Sequence, residues 1–220
     1  MESWGQNRLQ DTFEESAIKL LDLLPEQDKT ESVLAKVLSE HDLSFLMPLL
    51  SIKEDMESQL KSGDVTTFAN WIGEAIDPKH HGNPDFIMAL IQVVFRHIVE
   101  KAGEKEGSTS PGEAEKEMLG KFRLVLKPFV ADKPKLQLAA VYALQMSCNA
   151  LGFPKGLLLR SFVNFYEMDI VDEHAFLQWK EDVNETYPGK GKALFQVIFF
   201  QCCQNFFCKV PIFLWKGAIW

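Results

Sequence analysis

A chain of 220 residues, 46% of them hydrophobic, fits one globular domain with a sizeable core. Its formal net charge of -8 argues against nonspecific binding to nucleic-acid phosphates and favours basic protein partners. Cys148, Cys202, Cys203 and Cys208 lack metal-ligand spacing and suit a reduced, cytoplasmic chain, and the polar start MESWGQNRLQ has no apolar signal-peptide core.

Taken in order, residues 1–12 read as a flexible N-terminus. Thr12 with Glu15 has capping-box spacing and predicts a helix carrying Ile18, Leu21 and Leu24, stopped by Pro25. A second helix is expected near Thr30–Glu40, with Val33, Val37 and Leu38 inward. A third, near Leu43–Lys61, holds Pro48, which kinks it or delays its start by a turn. Gly63 ends that helix, and Asp64 caps the next over Val65–Ile76, which buries Phe68, Trp71 and Ile72.

His80, His81 and Gly82 form a loop before Asn83-Pro84, a cap and first-turn proline for a helix to about Val99. Its Phe86, Leu90, Val94 and Ile98 recur at helical spacing. The stretch 103–112, GEKEGSTSPG, reads as a mobile surface loop within the domain. Ser110 with Glu113 opens a helix ending near Val130. Pro134 opens another to about Ala150, where Leu136, Ala140, Ala143 and Leu144 offer a close-packing face.

Pro154 can occupy the first turn of a helix that is apolar around most of its circumference from Leu157 to Tyr166. In the next helix Phe176, Trp179 and Val183 fall on one face, while Glu181, Asp182 and Glu185 fall on the other. A loop at Tyr187–Gly191 precedes a last helix that begins at Lys192. No β-alternation of useful length interrupts the series before the tail, so the expected fold is all-α, an α-solenoid of stacked antiparallel HEAT-like helix pairs.

An aromatic-backed acidic ridge is therefore the most distinctive surface on offer. Trp179, with Phe176 and Val183, is expected to support the ridge from the core and need not touch a ligand. Glu167, Asp169, Asp172 and Glu173 gather in the turn before Glu181, Asp182 and Glu185, and such a cluster would steer a Lys/Arg-rich segment. Rival chemistry is thin. Gly189-Lys190-Gly191-Lys192 lacks phosphate-loop spacing, His80-His81 lacks further ligands, and no glycine elbow marks a nucleophile, so no catalytic, cofactor or metal site is expected.

These residues also carry a resemblance. FPKGLLLR (Phe153–Arg160), FVNFYEMDIV (Phe162–Val171), DEHAFLQWKED (Asp172–Asp182) and PGKGKALFQV (Pro188–Val197) resemble the C-terminal HEAT-type, "two-tryptophan" domain of the translation initiation factor four-gamma family. Among its branches they are most similar to the death-associated-protein, cap-independent one. DLSFLMPLL (Asp42–Leu50) and the Trp71 region look similar more weakly, so the resemblance runs from about Phe13 to Val197. It implies a non-catalytic, monomeric scaffold whose acidic–aromatic boxes bind protein. The implied partners are a protein kinase acting on the cap-binding factor and the beta subunit of initiation factor two, without direct contact to nucleic acid or membrane.

The domain is thus expected over 13–197, followed by a divergent hydrophobic tail over 198–220, IFFQCCQNFFCKVPIFLWKGAIW. Where the family continues into a second tryptophan-containing acidic box, this chain has Phe and Cys and no Asp or Glu after Glu185. That departure raises two alternatives: a truncated or competing splice-type variant of the scaffold, or a membrane-tethered adaptor. Gln201, Gln204, Asn205, Lys209 and Pro211 interrupt the apolar run a membrane span would need.

Overall fold

The structure, a computed structural model, describes residues 8–9, 12, 20–29, 31–43, 46, 48–104, 110–183 and 187–203. The chain divides into two compact units, 1–55 and 56–220. Most of the expected N-terminus, the centre of the 103–112 loop and the tail beyond 203 lie outside the described residues.

In the first unit, a 3-10 turn at Leu20–Leu23 packs on helix α1 (Glu31–Glu40), which buries Leu34 and Leu38. At the expected helix start, Arg8, Leu9 and Thr12 are themselves helical and the Thr12 hydroxyl donates to the Arg8 carbonyl at 2.8 Å, while Glu15 and Ile18 lie outside the described residues. A side chain that bonds back along a helix in this way is not capping it. Helix α2 (Pro48–Ser62) begins at its proline, where the missing N–H costs no helical bond.

The second unit follows the caps written in its sequence. Asp64 accepts the Thr67 N–H at 2.7 Å and starts α3 (Val65–Ala75), which buries Phe68 and Ile72 and leaves Trp71 half-buried against Phe68. Asn83 caps α4 (Pro84–Glu104), a turn longer than its periodicity suggests. Ser110 and Glu113 form both bonds of a capping box at the head of α5 (Pro111–Val130). The expected loop at 103–112 is thereby shortened from both sides, since Gly103, Glu104, Pro111 and Gly112 are helical.

Helix α6 (Pro134–Ala150) is the hub of this unit, packing against α4, α5 and the helices that follow it. Ala139, Ala140 and Ala143 let those neighbours approach closely, and burial reaches most of its circumference. Helix α7 (Leu157–Glu167) starts after Gly156, whose φ of 74° is left-handed. Pro154 therefore sits in the preceding turn, not in the helix. Helices α8 (Glu173–Glu181) and α9 (Lys190–Cys203) complete an all-α architecture of stacked helix pairs, with no strand among the described residues.

Candidate partner-binding site

The site is built outward from two glutamines. Gln137 and Gln145 lie two turns apart on α6 and are buried, so each amide must find partners inside the protein. Gln137 donates to the Asp172 carboxylate at 2.7 Å and accepts the Asp172 backbone N–H at 3.2 Å. Gln145 accepts the Trp179 indole N–H at 2.7 Å, while its NH₂ donates to the Tyr187 and Pro188 carbonyls at 3.2 and 2.9 Å. One residue fixes the start of α8; the other fixes its last turn and the chain beyond it.

Beneath α8 lies an aromatic floor. Phe162 of α7 packs at 5.1 Å from Phe176 and edge-on at 5.0 Å from Trp179, which is only 1% exposed. Phe176 and Trp179 thus lie in the core beneath α8. Val183 does not. Helix α8 ends at Glu181, so the helical spacing that would carry Val183 onto this face has lapsed, and the residue is 90% exposed.

The acids separate into groups. Glu167 accepts from Lys116 at 2.6 Å, and Asp169 from Arg123 at 3.0 Å with Lys127 at 3.7 Å, so basic residues of α5 cover both. Asp172 is engaged by Gln137, and Asp182 accepts the Tyr142 hydroxyl. Glu173 and Glu181 make no hydrogen bond or ion pair among the described residues. Glu181 and Asp182 together with Leu138 and Gln178 line a cavity of about 380 Å³. Glu185 lies outside the described residues.

Lys190 is a residue that sequence reasoning passed over as part of a loop. It is the first residue of α9, two positions before the expected start, and is only 8% exposed. Its ammonium donates to the Trp179 carbonyl and lies 4.0 Å from the Trp179 ring centre and 5.4 Å from that of Tyr142. Burial pushes its pKa down to about 8, against the pull of the Asp182 carboxylate. Burial and the Asp182 bond push the Tyr142 phenol up. The turn before it is crowded: Gly189 has φ 85°, and a Cβ there would fall 2.6 Å from Asn149 Oδ1.

Other candidates resolve into packing. His81 stacks on Phe86 at 5.8 Å and meets Phe129 edge-on at 5.0 Å. Among the described residues no group of His, Cys, Asp and Glu converges as a metal site, and no helix is long and apolar enough to cross a membrane.

Comparison with known proteins bears on the same helices. The family described as W2, eIF4-gamma/eIF5/eIF2-epsilon, matches residues 136–201, from the third residue of α6 into the last turn of α9 and four residues past Val197. Eukaryotic translation initiation factor 4 gamma 2 of Mus musculus is 39% identical over 198 residues, covering 86% of this chain and 22% of its own length. The Homo sapiens protein of that name shows the same identity and coverage. Eukaryotic translation initiation factor 4 gamma 3 of Mus musculus is 26% identical over 172 residues, covering 78% of this chain and 10% of its own length. The chain spans about a fifth of the length of the 4 gamma 2 relatives. It belongs to the translation initiation factor 4 gamma family, and its residues 136–201 match the W2 domain of that family.

Proposed function

We propose that this chain is a non-catalytic scaffold module of translation initiation that binds lysine- and arginine-rich segments of partner proteins through the acids of α8 and its flanks. The reading is supported by family membership and by one observation above all. Glu181 stands at the rim of an open cavity, at the end of a helix locked by Trp179 and Gln145, so its carboxylate is presented without an internal partner. Two carboxylates beside Leu138 suit the charged head and methylene stem of a lysine or arginine. By family resemblance, the partners are a protein kinase acting on the cap-binding factor and the beta subunit of initiation factor two.

Within this reading the seven acids are unequal. Glu173, Glu181 and Asp182 carry the contact, with Glu185 beside them in sequence, and Asp172 shapes the helix start. Glu167 and Asp169 already hold cations of the same chain. Each exposed pair with a partner would contribute only ~0–1 kcal/mol, so several must act together and binding must weaken with salt. Capture of the kinase and of the beta subunit, comparing the native chain with a Glu173→Lys/Glu181→Lys variant over a salt series, tests this. Loss of capture with a flattened salt dependence is the expected result; unchanged capture ends the reading.

A further inference from the structure

The buried lysine beside the acidic rim is not needed to present acids, and it weakens their field. Lys190 Nζ is enclosed by the Trp179 carbonyl and ring from α8 and the Tyr142 ring from α6. The groups that act on this corner are Asp182 after α8, Tyr142 of α6 and Tyr187 of the following turn. Asp85 of α4 is felt at Tyr187. Asp182 is common to both sides: its carboxylate takes the Tyr142 hydroxyl, interacts with the Lys190 charge and also lines the cavity with Glu181.

We propose that Lys190 is an internal cation regulating the cavity at Leu138, Gln178, Glu181 and Asp182, so that a guanidinium or ammonium from a partner enters in competition with it for the field of Asp182. The inference rests on the acidic-rim reading above and adds its regulation. An external cation at Asp182 repels the buried Lys190 ammonium, and charges interact more strongly where burial excludes water. Binding and Lys190 protonation are then reciprocally linked: the occupied cavity favours loss of the Lys190 proton, and the neutral amine favours occupation. Because burial already places this proton near pH 8, the coupling operates at mildly alkaline pH.

The test uses the full chain and an oligoarginine peptide, which stays charged throughout the range. Each unit by which bound peptide lowers the Lys190 pKa appears as a tenfold gain in affinity across the titration. Affinity should rise about three- to tenfold from about pH 7 to about pH 9.5 in the native chain. In a Lys190→Arg variant, which keeps the charge, that part of the rise should vanish. The cysteines and the terminal amine still titrate in that variant, so an equal rise there overturns the proposal. Should the arginine not fit the cage, ¹³C NMR of the Lys190 ε-carbon in the native chain decides: peptide must lower its midpoint, and an unmoved midpoint overturns the proposal. The two readings fail differently. If Glu181→Lys leaves peptide binding intact, the acidic rim is wrong; if it abolishes binding while Lys190→Arg keeps the native slope, only the lysine's role is wrong.

Discussion

The indole N–H of Trp179 donates to the side-chain oxygen of Gln145 at 2.7 Å, with both side chains buried. Through this bond a polar residue of α6 sets the rotation of α8, and hence which of its residues face out. Gln145→Leu keeps the volume but orphans the indole N–H and the Tyr187 and Pro188 carbonyls. The turn carbonyls can turn to water, so the loss is dominated by the indole, about 1–3 kcal/mol. Urea unfolding should show a lower midpoint with an unchanged slope.

Gly189 makes a second, steric demand on the same corner. Its φ of 85° is strained for any side chain, and an added Cβ would fall 2.6 Å from Asn149 Oδ1. Gly189→Ala should destabilise by about 1–3 kcal/mol. Asn149→Ala in the same chain relieves only the contact, so thermal unfolding of the double variant should recover part of the loss and leave the cost of the backbone conformation.

Much of the fold was legible because its signals are local. Asp64, Ser110–Glu113, Pro48, Pro84 and Pro134 each announce a helix start through groups within four residues, and the structure honours each of them. Trp179 and Phe176 were legible as core from helical spacing alone. Val183 was not, because spacing cannot tell that α8 stops at Glu181. Nor can it tell which acids are covered: the cations on Glu167 and Asp169 come from 51 and 46 residues away. The one sequence hint of the buried polar corner was Gln137 and Gln145 at helical spacing in an apolar helix. Nothing local marked Lys190 as buried, since a Gly-Lys-Gly-Lys string reads as a turn.

The covering of Glu167 and Asp169 separates the acids by experiment. Glu167→Gln/Asp169→Asn removes two carboxylates but also releases Lys116, Arg123 and Lys127. Its effect on a basic peptide should be long-range only, under about threefold at physiological ionic strength. Glu173→Gln/Glu181→Gln makes the same charge change at acids without internal partners and should cost about tenfold, since a few exposed pairs act together. Fluorescence titration of both variants with one labelled peptide checks the order.

Cys148 is buried, and burial pushes its thiol up to about 12 from its ordinary value of 9.0. A thiol so held presents little thiolate and reacts slowly. Timed alkylation followed by peptide mapping should label Cys148 only when urea opens the fold. Its raised pKa also gives stability that is fully present below about pH 9 and is lost as pH climbs toward about 12.

Lys190 acts with the opposite sign, and the two must be separated. Its native pKa of about 8 lies below the ordinary lysine value of 10.5, so between those values the unfolded chain binds more protons than the native one. Stability therefore rises with pH across that window, with a slope of at most about 1.4 kcal/mol per unit for one proton. Below about pH 8 both states hold the proton, and the cost of keeping the ammonium buried is constant. Lys190→Met keeps the apolar stem and removes the titration. Subtracting its stability–pH curve from that of the native chain cancels Cys148 and leaves Lys190 alone. The difference should climb from about pH 8 and level off above about pH 10.5; a flat difference would mean that the aromatic cage and Asp182 hold the proton as firmly as water does.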